Sequence, residues 1–209
     1  MPLLERAELD YANLTLEALF MMGLDIQHRR VFLSGALEYG TEEEPSRPGQ
    51  STPEQVARGL LWLDKTPGEI ELWINSPGGL VTEMFALHDL IATLENPVTT
   101  VGYGQVASAA GLILAAGKER YATPNCWFMS HMGEGYLLGD LFTQREQLRV
   151  EEAIFDKWAE LLSKYTKHTK KWWREVHQGE KRELWLDAKG MVRHGIVDEI
   201  WPPEDDADE

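Results

Sequence analysis

Apolar positions along this chain recur with two periods. A spacing of two reads as strand, and spacings of three and four read as helix. Arg30-Val31-Phe32-Leu33-Ser34-Gly35 reads as a first strand. Thr52-Pro53-Glu54-Gln55 starts a helix, with a capping residue followed by proline at the first position, and Val56, Leu60 and Leu63 form its apolar face. Glu69 to Asn75 is a second strand with Ile70, Leu72 and Ile74 on one side. A Ser76-Pro77-Gly78-Gly79 turn follows, then a helix carrying Met84, Leu87, Ile91 and Leu94, ended by Asn96-Pro97. The β-branched run Val98-Thr99-Thr100-Val101 leads through Gly104-Gln105-Val106-Ala107-Ser108 into a small-residue stretch, Ala109 to Ala116, that stops at Gly117. That sequence reads as strand, tight turn and buried helix.

Further along, a short strand is expected near Arg120–Ala122 and another over Cys126 to His131. Gly133, Gly135 and Gly139 mark a flexible or extended piece. A long helix is expected from about Asp140 to Tyr165, with Phe155, Trp158, Leu162 and Tyr165 on one stripe. Left on a monomer, that stripe is too large an apolar patch for water, and it predicts a homo-oligomer. Lys167 to Arg174 is basic and helical, Glu183 to Leu186 a strand, Ala188 to His194 a helix stopped by Gly195, and Ile196 to Ile200 a last strand. Residues 1–25 read as an N-terminal helix or arm, Glu38 to Thr52 as an acidic insertion loop, and 201–209 as a disordered acidic tail.

Strands alternating with helices imply right-handed βαβ units and a mainly parallel sheet, and 209 residues suffice for one α/β domain. Sites in such folds lie at the carboxyl ends of the strands, where both glycine-bearing turns fall.

Charge narrows the partners. The 209 residues carry a formal charge of −15, which argues against nucleic acid, since phosphates would be repelled. No run approaches a membrane span, and the N-terminus lacks a basic region followed by an apolar core, so neither a membrane nor a signal peptide is expected. A single cysteine, Cys126, fits a reducing compartment and a cytoplasmic location.

The candidate chemistry begins with Ser108. A serine before a helix is commonly an N-cap. It is also placed to be a nucleophile, with the amide of Ala109 facing an oxyanion. A nucleophilic serine needs a base, and His131 at a strand end followed by glycines is the best placed of the six histidines. These residues alone leave both readings open.

Taken together, Ile74-Asn75-Ser76-Pro77-Gly78-Gly79, Gly104-Gln105-Val106-Ala107-Ser108, Pro124-Asn125 with Met129-Ser130-His131, and Gly195-Ile196-Val197-Asp198 resemble the motifs of the Clp protease proteolytic subunit family, in that family's order. The resemblance covers roughly residues 26–200. It implies the ClpP/crotonase fold class, a repeated ββα spiral with a protruding helical handle at about 132–166. It implies a cytoplasmic serine endopeptidase with no cofactor, acting on polypeptides inside a homo-oligomeric ring or double ring fed by an AAA+ unfoldase. By resemblance Ser108 is the nucleophile, His131 the base, and the amides of Gly79 and Ala109 the oxyanion donors. Alignment back from Gly195 puts Glu183 where the family has aspartate, with Asp187 as the alternative. Asp187 is equally expected to cap the helix that begins at Ala188. Other readings are a ring subunit with a degraded triad acting as scaffold, a crotonase-type acyl-CoA enzyme, and a Ser-Lys peptidase. For the last of these, Lys118 lies too far from Ser108.

Overall fold

The computed structural model describes Leu19 and residues 23–38, 51–133, 137–178 and 183–203. Most of the expected N-terminal arm, the acidic insertion and the end of the tail lie outside these residues, as do Gly135 and residues 179–182.

The described elements are strands β1 (Leu24–Asp25), β2 (Arg30–Ser34), β3 (Ile70–Ser76), β4 (Val98–Ala107), β5 (Glu119–Ala122), β6 (Trp127–His131), β7 (Glu183–Asp187) and β8 (Glu199–Ile200). The helices are α1 (Pro53–Leu63), α2 (Val81–Thr93), α3 (Ala110–Ala115), α4 (Leu141–Tyr165), α5 (Lys170–Glu175) and α6 (Ala188–His194). The sheet runs β1-β2-β3-β4-β5-β8, and β6 pairs with β4 and then with β7. The β2–β3, β3–β4, β4–β5, β4–β6 and β5–β8 pairings are parallel, as the alternation of periods predicts. β1–β2 and β6–β7 are antiparallel, which the periods do not predict.

Local chemistry explains the element ends. Thr52 accepts the Gln55 N–H while the Gln55 side chain accepts the Thr52 N–H, a closed capping box before Pro53. Asp140 accepts the N–H groups of Phe142 and Thr143 and starts α4. α6 ends on Gly195 at φ 72°, the left-handed conformation a side chain resists.

Val31, Leu33, Ile70, Leu72 and Ile74 alternate into a core closed by Val56, Leu60 and Leu63 of α1 and Met84 and Leu87 of α2. All six residues of α3 are buried. On the sheet's other face Phe32, Trp73, Tyr103, Tyr121 and Trp201 form a chain of ring contacts, with Trp73 and Trp201 centroids 5.5 Å apart. Trp201, at the start of the expected tail, contacts both Trp73 and Tyr121.

The stripe on α4 differs from expectation. Trp158 and Leu162 are buried within the chain, and Phe155 and Tyr165 are half-buried against its core. α5 accounts for this: Trp173 is fully buried and stands edge-on to Trp158 at 5.5 Å. In this part of the chain the large apolar side chains left in water lie earlier, at Leu137, Leu138, Leu141, Phe142, Leu148 and Val150.

Candidate active site

β4 is longer than its β-branched run, because it changes partners. Thr99–Gly102 pair with β5, and Gln105–Ala107 pair with β6. Gly104 at φ 67° lies between the two pairings. The strand therefore delivers its last residues beside β6, and Ser108 and His131 are brought to the same end of the sheet.

Ser108 leaves β4 at φ 52°, a left-handed conformation that costs a non-glycine residue roughly 1–3 kcal/mol. Two bonds hold it there: its N–H donates to the Met129 carbonyl at 2.7 Å, and its carbonyl accepts the Gly111 N–H at 3.0 Å. The turn presents Oγ to His131, whose Nε2 is 2.7 Å away. A capping serine would instead spend that oxygen on an N–H of its own helix, and no side-chain cap is made at the start of α3.

Gly78 and Gly79 run alongside. A Cβ on Gly78 would stand 2.6 Å from the Ala107 carbonyl oxygen and 2.7 Å from Ser108 Cβ. A Cβ on Gly79 would stand 2.5 Å from the Leu37 carbonyl oxygen. Both have positive φ, so glycine is required on two counts. Leu37 grips the turn from the other side, donating to the Gly78 carbonyl and accepting from the Leu80 N–H, each at 2.8 Å. Among the described residues neither the Gly79 nor the Ala109 N–H has an acceptor.

Glu183 stands directly opposite His131 in the β6–β7 register, so both side chains leave the same face. Its carboxylate accepts the Trp185 indole N–H at 2.8 Å. Among the described residues it makes no hydrogen bond to His131. Asp187 is at the far end of β7, opposite Trp127, and its Oδ1 accepts the Gly190 N–H at 2.7 Å. It caps α6. Lys118 donates its backbone N–H to Val98, at the other end of β4 from Ser108. The Ser-Lys reading has no support in this geometry.

A groove of about 690 Å³ opens from Ser108 and His131 between Met84 on α2 and Phe155 and Trp158 on α4. Glu151 and Glu152 lie along it. Behind the site the buried Ser130 Oγ and His177 Nε2 are 3.1 Å apart. His177 and Trp185 belong to none of the sequence motifs. The alternation of β6 carried the signal for Ser130, whose hydroxyl must point inward if His131 points out. Cys126 is buried, which pushes its thiol up to about 12, so it remains a thiol and takes no part as a nucleophile.

Comparison with known proteins agrees with these motifs. The family model described as Clp protease matches residues 46–204. The ATP-dependent Clp protease proteolytic subunit of Carsonella ruddii (strain PV) is 29% identical over 182 residues, 84% of either chain.

Proposed function

This chain belongs to the Clp protease family, and we propose that it is a serine endopeptidase in which Ser108, His131 and Glu183 act as nucleophile, base and orienting carboxylate. The observation that carries the reading is the 2.7 Å contact between Ser108 Oγ and His131 Nε2 at a left-handed turn flanked by Gly78-Gly79.

A polypeptide lies in the groove with a side chain against Met84 and Trp158. His131 Nε2 takes the Ser108 proton as Oγ bonds to the scissile carbonyl carbon. The carbonyl oxygen becomes an oxyanion and accepts the N–H groups of Gly79 and Ala109. The C–N bond breaks, and His131 gives its proton to the departing amine. Water, deprotonated by His131, then cleaves the ester and returns the proton to Ser108. The strain at Ser108 has a use in this scheme, since it keeps Oγ clear of the helix and aimed at the groove.

Leu141 and Phe142, 73% and 77% exposed, supply the apolar contact through which subunits assemble into a ring or double ring. An AAA+ unfoldase feeding such a ring, and a cytoplasmic location, are consistent with the family. Among the described residues no helix is long and apolar enough to cross a membrane.

One observation favours a second reading, a weakly active ring subunit: the Glu183 carboxylate is on Trp185. The crotonase-type reading is set aside by the family match. The test is a fluorophosphonate probe with a peptide assay. Ser108 should be labelled, and Ser108→Ala should lose on the order of 10⁶-fold in turnover while keeping its assembly. Unchanged hydrolysis in Ser108→Ala would end the proposal.

A further inference from the structure

Glu183 has two N–H donors on its own face of the β6–β7 ribbon. His131 stands directly opposite, with Cβ atoms in such a pair about 4.5–5.5 Å apart. Trp185, two residues on and opposite Met129, projects to the same side. The indole can only donate, and so can the imidazole at Nδ1 once Nε2 accepts the Ser108 hydroxyl. The structure shows which donor is served: Trp185 Nε1 donates to Glu183 Oε2 at 2.8 Å, while the His131 hydrogen bond among the described residues is the one to Ser108. The extra methylene of a glutamate is what lets the carboxylate swing along the strand to its second neighbour. Trp185 is 48% exposed, so its ring is not spoken for by the core.

We propose that Trp185 is a positioning residue that draws the Glu183 carboxylate off His131, so that the triad is complete in only part of the population. This rests on the roles given to Ser108, His131 and Glu183 above. An ionised carboxylate takes a charge-assisted bond from either donor. Every molecule with the carboxylate on the indole has an imidazole without its orienting partner, and turnover scales with the remainder.

The test compares wild type, Trp185→Phe, Glu183→Gln and the double variant as full chains. Two quantities are measured: kcat and KM on a small fluorogenic peptide, and the downfield NMR resonance of a His131 Nδ1 proton bonded to carboxylate. Phenylalanine keeps the ring and removes only the donor. Trp185→Phe should raise kcat by about twofold or more at unchanged KM, and the resonance should gain intensity. Adding Glu183→Gln should erase both gains. A packing role for Trp185 would lower stability and move neither. A kcat at or below wild type with an unaltered resonance overturns the inference, as does a gain that survives Glu183→Gln. Where the two readouts disagree, the resonance decides. If wild type shows no Ser108-dependent hydrolysis, the proposed function fails, and the resonance, which needs no turnover, still decides the fate of this one.

Discussion

A single methyl group added at Gly78 should be enough to dismantle the site. Its carbon would lie 2.7 Å from Ser108 Cβ, 2.6 Å from the Ala107 oxygen and 2.9 Å from the Ala109 nitrogen. Carbon atoms rest about 3.5–4.0 Å apart, so the Ser108 turn must retreat by about 1 Å. The opposite direction is closed, because Leu37 is bonded to both sides of the glycine turn. Gly78 sits at φ 92°, which costs an L-residue about 1–2 kcal/mol, and overpacking adds about 1–3 kcal/mol. Gly78→Ala should therefore lose about 2–5 kcal/mol of stability, read as a lower urea midpoint. A reacting atom misplaced by about 1 Å costs about 10²-fold in rate, equal to about 2.7 kcal/mol of barrier. The assay is peptide turnover on protein shown to be folded by circular dichroism at the same temperature. A folded Gly78→Ala variant within about threefold of wild-type kcat would refute the idea that the glycine turn and the Ser108 turn form one unit.

Other expectations follow from the same geometry. Asp187→Ala should cost about 0.5–2 kcal/mol by uncapping α6, with turnover retained; a stable but inactive variant would move the orienting role to Asp187. Burial, together with the neighbouring charge of His194, holds His168 below the ordinary histidine value, and burial with Arg193 and Lys167 does the same for His194. The unfolded chain then binds protons first as pH falls. Stability should be full above about pH 6.5 and decline below it, and a urea midpoint that stays flat from about pH 8 to about pH 5.5 would contradict this. Leu141→Glu with Phe142→Glu should shift sedimentation to smaller species, and an unchanged assembly would show that subunits meet elsewhere.

Much of this architecture was legible because local signals agreed with the fold. Thr52-Pro53 capped α1, Ile70, Leu72 and Ile74 alternated into the core, and Gly195 stopped α6. Asp187 was readable as a cap because Asp before a helical run has that local use whatever surrounds it. The features that escaped were set by distant neighbours. Nothing in the α4 stripe announces that Trp173, on another helix, will cover Trp158. The residues of β4 do not reveal that they pair first with one strand and then with another. Ser108 and His131 were singled out by their motif and position, yet the left-handed turn that joins them appears only in three dimensions. Trp185 was invisible for a plain reason: an exposed aromatic on a strand is ordinary until a carboxylate is found on its N–H.

The change of partners along β4 has a mechanical consequence. His131 and Glu183 ride on a two-stranded ribbon whose sheet bonds to the rest of the domain run through Gln105, Val106 and Ala107, with the Ser108–Met129 bond beside them. Opening such a seam takes less free energy than unfolding the domain. Phe128 and Leu186 tie that ribbon into the core, so opening the seam draws on core packing as well as on sheet bonds. On the roles proposed above, base and orienting carboxylate share that ribbon, so a load on β7 reaches both at once. On the same roles, a contact that braces Gln105–Ala107 would hold both in place without touching a reacting atom.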